Sequence, residues 1–259
     1  MTQFPILPTH EFHYKFKADK VGTHWYHSHT GGQYTDGLLG LLIVRDHCDP
    51  YSNLSEFNMI LSEWYHDDVI DTFDVFSHYK NKTHNPFVPL VSGLVNGKGR
   101  FNCTPELLNK SLCIVNNSLE RFRVKSNMIY RFRIVSAASQ FTYSLSIDRH
   151  NLTIVAMDGI YVDEYMVQEI YIDIGQRYDI LVHMNQPVDL YWIRINAANN
   201  RQENSSQFYA ILQYEGANDG DPESVYTNPL FILDDSTPLK PNNWCFQQTH
   251  VIYMTYIGI

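Results

Sequence analysis

Gly22-Thr23-His24-Trp25-Tyr26-His27-Ser28-His29-Thr30-Gly31-Gly32-Gln33 decides how this chain is read. Two histidines at i and i+2 on a strand point to one face. With a rise of about 3.3 Å per residue, their Cα atoms stand about 6–7 Å apart. Imidazoles so spaced can each take one metal of a close pair, whose members sit about 3.5–4 Å apart. Strand parity puts His24 on the opposite face and removes it from that site. A helix would pair His24 with His27 instead, but Gly31-Gly32 and the β-rich surroundings oppose one. Taken bare, the run reads more simply as three unrelated surface or core histidines, so its flanks have to decide.

Outward from this stretch, strand signals dominate. Glu11 to Ala18 places Phe12, Tyr14 and Phe16 on one face. Thr23–His29 and Leu38–Val44 follow, separated by Gly31-Gly32 and Asp36-Gly37. Beyond a polar boundary come Phe57–Tyr65, Glu120–Lys125, Met128–Val135, Tyr143–Ile147, Leu152–Met157, Glu169–Ile174, Tyr178–Met184, Leu190–Ile195 and Phe208–Tyr214. Short strands with close turns, Asn96-Gly97 and Asp158-Gly159 among them, predict an all-β sandwich or barrel. Residues 1–46 hold only about three strands, too few to bury a core of their own. Residues 56–215 hold about nine, enough for a complete sandwich. Residues 47–55 read as a linker, and 216–259 as a Pro-rich linker or stub.

The chain of 259 residues carries 19 basic and 28 acidic side chains, a net charge of −9. Phosphate binding needs a basic face, so nucleic acid is not an expected partner. The longest aliphatic run, Leu38–Val44, is too short to span a bilayer, so no membrane is expected either. Asn-X-Ser/Thr sequons stand at Asn53, Asn81, Asn102, Asn109, Asn116, Asn151 and Asn204, which points to a secreted, extracellular glycoprotein. Cys48, Cys103, Cys113 and Cys245 are compatible with disulfides there. Cys103 and Cys113 are near enough to close a small loop, and the pairing of Cys48 and Cys245 stays open. Met1-Thr2-Gln3-Phe4-Pro5-Ile6 has neither a basic n-region nor an apolar h-region. Sequons without a signal peptide lead to the expectation of a fragment whose beginning is missing.

Gly-Thr-x-Trp-Tyr-His27-Ser28-His29, then Gln33, then Asp36-Gly37-Leu38-x-Gly40, closely resembles the second copper-binding motif of the multicopper oxidases, the laccase family. The resemblance continues in order through Leu61-Ser62-Glu63-Trp64-Tyr65-His66, Leu94-Val95-Asn96-Gly97-Lys98-Gly99-Arg100 and Tyr130-Arg131-Phe132-Arg133-Ile134-Val135. Asp148-x-His150-Asn151-Leu152, Gln176-Arg177-Tyr178-Asp179 and Tyr191-Trp192-Ile193-Arg194 complete it, so it covers about residues 2–215. Phe4 stands where the family usually has Cys.

The resemblance implies a cupredoxin-like Greek-key sandwich: the C-terminal part of one domain, a linker, a complete second domain and a stub toward a third. It implies copper as cofactor, with His27 and His29 each binding one type 3 copper. Dioxygen and a phenolic or aromatic amine substrate would be the reactants, O2 being reduced to water. An upstream His-x-His-Gly motif and a third-domain His-Cys-His have no counterpart in this sequence. Two of the cluster's eight ligands and no type 1 site are then present, and residues 1–259 alone are expected to be inactive.

By the same resemblance Asp158 falls where an acidic residue contacts the phenol in fungal laccases, and a carboxylate there can accept the phenol proton. A turn-forming Asp before Gly159 is the simpler reading. Asp36 has the same choice between a turn and proton delivery to the copper pair. Two alternatives stand beside the oxidase: a truncated, non-catalytic secreted glycoprotein, and a mononuclear metal binder using His27 and His29.

Overall fold

The computed structural model describes residues 4, 6–66, 92–105, 113–114, 117–198, 206–233, 238–242 and 250–257. Two six-stranded sheets face each other and enclose one apolar core. The first sheet contains β4 (Ser55–Trp64), β5 (Ser92–Val95), β7 (Ile129–Ala137), β9 (Leu152–Met157), β10 (Ile160–Val167) and β12 (Arg177–His183), in the order β10-β9-β12-β7-β4-β5. The second contains β6 (Arg121–Val124), β8 (Thr142–Ile147), β11 (Glu169–Ile172), β13 (Leu190–Ala198), β14 (Ser206–Tyr214) and β15 (Ile232–Leu233), in the order β15-β11-β8-β13-β14-β6. The chain passes back and forth between the sheets, so neighbours in space are seldom neighbours in sequence.

Period-two alternation explains the core. Met59 and Leu61 on β4, Phe132 and Ile134 on β7, and Ile180 and Val182 on β12 point inward. They meet Tyr143, Leu145 and Ile147 on β8, Ile193 and Ile195 on β13, and Leu212 on β14. Each such side chain contributes about 1.5–3 kcal/mol by leaving water.

Outside the sandwich lie two small antiparallel sheets. β1 (Glu11–Ala18) pairs with β16 (His250–Ile257), and β2 (Gly22–His27) pairs with β3 (Leu39–Val44). β2 lies against the outer face of β7 and β12. Two glycines permit that approach: a Cβ on Gly22, whose φ is +110°, would stand 2.6 Å from the Cα of Gly159. Residues 216–233 are bound to the sandwich rather than trailing from it. Arg100 pairs with Asp221 through two nitrogens, Arg194 donates to the Ser224 carbonyl, and Leu233 enters the core.

Cys103 and Cys113 form a disulfide, closing the small loop expected from their spacing, and Cys48 is disulfide-bonded as well. Cys245 lies outside the described residues, as do Asn81, Asn109, Asn116 and Asn204.

The strand reading of 23–29 needs one correction. β2 stops at His27, and only the Ser28 amide continues the ladder, donating to the Leu38 carbonyl at 3.0 Å. The Ser28 hydroxyl then accepts from the Thr30 amide and turns the chain toward Gly31.

Candidate metal centre

Thr23, Trp25 and His27 share the face of β2 turned to the sandwich. The His27 and His29 rings lie side by side, centroids 4.4 Å apart, although His29 stands just past the strand end. His27 is half-buried and His29 is exposed. Nδ1 of His27 lies 3.0 Å from the Ser28 carbonyl, which can only accept, so the ring proton belongs on Nδ1 and the Nε2 lone pair is left as a metal donor. His24 is held elsewhere: its Nε2 lies 3.1 Å from both the Lys20 and Val21 carbonyls, and its ring packs beside Gly159.

Two aromatic rings pack on His27. Trp25 stacks on it at 4.6 Å, Tyr34 lies 4.3 Å away, and the two rings also touch each other at 5.7 Å. The Tyr34 hydroxyl donates to the Ala138 carbonyl. Burial, and then the negative charge of Glu63, push the Tyr34 phenol well above its ordinary range, so it stays protonated. Glu63 also fixes the turn that Tyr34 touches. Its carboxylate accepts from the amides of Ser139 (3.1 Å), Gln140 (2.9 Å) and Phe141 (3.1 Å) and from the hydroxyls of Ser139 and Tyr65.

The two candidate carboxylates lie apart. Asp36 is exposed and, with Tyr34, Leu39, Ser62, Trp64 and Asn96, lines a cleft of about 310 Å³. Asp158 stands in the β9–β10 turn with φ at 51°. Its Oδ1 accepts from the Arg177 amide at 3.0 Å and lies 3.2 Å from the Arg177 guanidinium. Among the described residues, no cluster of three or more His, Cys, Asp or Glu is assembled for a metal.

Beneath β2 lies a charged cluster absent from the candidate residues read in the sequence. Arg131 and Arg133 on β7 are 1% and 2% exposed, on the strand face away from the core. Arg131 donates to Asp49, between β3 and β4, and, at 2.5 Å, to Asp179 of β12. Arg133 reaches Asp179 (3.1 Å), Glu56 (2.9 Å) and the Thr23 hydroxyl (3.0 Å). Burial opposes the charge on Arg131, but Asp179 and Asp49 outweigh it and hold the guanidinium protonated. The signal for the cluster is two arginines at alternate positions of an otherwise apolar strand. Alone, that pattern reads as a solvated face.

A family model described as multicopper oxidase matches residues 55–217, and a second of the same description matches residues 1–49. The chain belongs to the multicopper oxidase family. Among curated relatives, this multicopper oxidase chain is 36% identical to laccase-2 of Agaricus bisporus over 246 residues, covering 90% of the chain and 44% of the relative. It is 34% identical to laccase-1 of Pleurotus ostreatus, covering 94% and 42% respectively. The crystal structure of a laccase from Botrytis aclada superposes with a TM-score of 0.73 at 31% identity, over 88% of this chain and 41% of that one. Fet3p, a multicopper oxidase that functions in iron import, gives 0.70 at 28% identity, over 86% and 39%. The chain thus spans less than half the length of the relatives it matches. The sandwich is a cupredoxin domain of this family, and the family's metal is copper. Imidazole is a good copper donor, so the His27 and His29 rings fit that metal.

Proposed function

We propose that this chain supplies a laccase-like oxidase with two of its copper ligands and with the sandwich on which their strand rests. One observation carries the reading: two neighbouring imidazoles, one with its proton committed to a carbonyl, in the His-Ser-His of a multicopper oxidase chain. His27 and His29 would each hold one type 3 copper. Residues 1–46 and 56–215 are then parts of two cupredoxin domains, 47–55 is the linker between them, and 216–259 leads toward a third.

Bound copper supplies the one-electron steps that couple substrate oxidation to dioxygen reduction. Four phenols or aromatic amines each give up one electron and one proton, and one O2 becomes two waters. The chain's own part is to orient the ligands and handle protons. The Ser28 carbonyl selects the His27 tautomer. Trp25 and Tyr34 restrict the rotation of its ring. Asp36, in the cleft lining beside Tyr34, is the carboxylate proposed for proton delivery. Asp158 is proposed to contact the phenol, with the carboxylate 36% exposed and steadied by Arg177. Exposed sequons at Asn53, Asn102 and Asn151, together with the disulfide, favour a secreted glycoprotein.

Cu(II) titration of the 259-residue chain tests the ligand assignment. Substituting His27→Ala or His29→Ala is expected to weaken binding at least about tenfold, the loss of roughly 1.4 kcal/mol or more. Unchanged affinity in both variants would overturn it.

A further inference from the structure

Thr23 is four residues from His27 on the same face of β2, and it is 1% exposed. Its hydroxyl donates to Asp179 Oδ1 at 2.6 Å and accepts from Arg133 Nη1 at 3.0 Å. Its carbonyl accepts from Arg177 Nε at 3.2 Å. One residue of the metal-bearing strand is therefore fixed by three side chains from β7 and β12. A hydroxyl can donate and accept at once, and this one does both.

Asp179 is itself immobile. Its other oxygen, Oδ2, accepts from both Arg131 (2.5 Å) and Arg133 (3.1 Å), leaving Oδ1 aimed at Thr23. Arg131 also binds Asp49, so the same cluster ties the strand, the sandwich and the segment around Asp49 together. Between Thr23 and His27 lies Trp25, which stacks on His27. Its Cζ2 would stand 3.7 Å from a Cβ built on Gly175, so the sandwich backs this ring too. The strand between peg and ligand is short, extended and stacked, and a shift at Thr23 is passed along it to the His27 ring.

We propose that Thr23 and Asp179 are positioning residues for the copper site: their buried hydrogen bond sets where β2 sits on the sandwich and hence where the His27 imidazole points. The proposal rests on His27 and His29 being the copper ligands. Neither Thr23 nor Asp179 touches copper or substrate in this scheme.

The test is Cu(II) titration of the full 259-residue chain, followed by tryptophan fluorescence and by the electron paramagnetic resonance spectrum of bound Cu(II). Thr23→Val removes the hydroxyl and keeps the shape, Thr23→Ser keeps the hydroxyl, and His27→Ala removes the ligand. Val124→Ala, in the core on β6, serves as a control for general destabilisation. Thr23→Val is expected to weaken binding about tenfold and shift the copper hyperfine splitting, while Thr23→Ser stays within about twofold of the unsubstituted chain. Val124→Ala should leave both readouts unchanged. Should Thr23→Val not fold, Thr23→Ala carries the same expectation without the apolar methyl pressed on Asp179. Loss of copper in His27→Ala with wild-type binding and spectrum in the hydroxyl-free variant overturns the positioning role and leaves the ligand assignment standing. Unchanged binding in His27→Ala overturns the ligand assignment and this proposal with it.

Discussion

The Thr23 hydroxyl donates to the Asp179 carboxylate across 2.6 Å, although 156 residues of chain separate them. This contact joins the strand that carries the histidine pair to the sandwich that supports it. It is buried, and it is balanced by two arginines. Charges in such a place stabilise a fold only while every partner is present.

Removing one member therefore costs more than the pair contributes. Asp179→Ala leaves Arg131 and Arg133 buried with their shared carboxylate gone. The expected loss is about 3–5 kcal/mol of unfolding free energy. Urea unfolding followed by tryptophan fluorescence measures it. A loss below about 1 kcal/mol would mean that water or rearrangement satisfies both guanidinium groups.

Glu63 is tied to five donors, three of them consecutive amides of the turn that receives Tyr34. Glu63→Gln removes the charge from these bonds and presents an NH2 group to donors. Hydrogen bonds to charged groups contribute about 1.5–3 kcal/mol each, so a drop of at least about 2 kcal/mol is expected. Amide hydrogen exchange at Ser139, Gln140 and Phe141 should accelerate along with it. Unaltered protection at all three amides would contradict the role given to Glu63.

His150 makes part of the stability pH-dependent. It is buried beside Tyr191, its Nδ1 donates to the Asp148 carbonyl, and its Nε2 accepts from the Tyr214 hydroxyl, each at 2.7 Å. Burial lowers its pKa below the usual histidine value. Below pH about 6.5 the unfolded chain takes up a proton that the native chain still refuses. Stability contributed by neutral His150 is present above that pH and falls as the pH drops toward the folded value, with a slope of at most about 1.4 kcal/mol per unit. Unfolding free energies measured from pH 7.5 to 5 should show this fall, and His150→Gln should flatten it. An identical slope in the variant would assign the acid sensitivity elsewhere.

The sandwich was legible because its evidence is local. Alternation in Tyr130-Arg131-Phe132-Arg133-Ile134 identifies a strand and its apolar face from a few residues. β10 escaped the same reading because Asp163 and Glu164 interrupt its pattern and its register slips between Tyr161 and Tyr165. β5 escaped because Ser92–Val95 is short and runs straight into the Asn96-Gly97 turn. At the site, the histidine pair was legible as a motif. The Thr23–Asp179–Arg131 cluster was not, because alternation shows which face is polar and never what covers it. Arg131 and Arg133 have the pattern of solvated arginines and become buried only when β2 and the segment around Asp49 fold over them.

Expression through a eukaryotic secretory pathway checks the proposed glycosylation. Asn53, Asn102 and Asn151 are exposed, and Asn151 stands immediately before β9. Endoglycosidase treatment should lower the apparent mass, and Asn→Gln at these three positions should remove part of that shift. A mass equal to the bare 30.2 kDa polypeptide before treatment would contradict it.

The ligand pair itself is tested most directly by pulsed electron paramagnetic resonance on Cu(II) bound to the 259-residue chain. The account predicts modulation from the remote, protonated imidazole nitrogen, since the His27 proton sits on Nδ1 against the Ser28 carbonyl. It predicts that the modulation disappears in the His27→Ala, His29→Ala double variant. The same modulation and copper content in that variant would contradict the assignment of His27 and His29 as copper ligands.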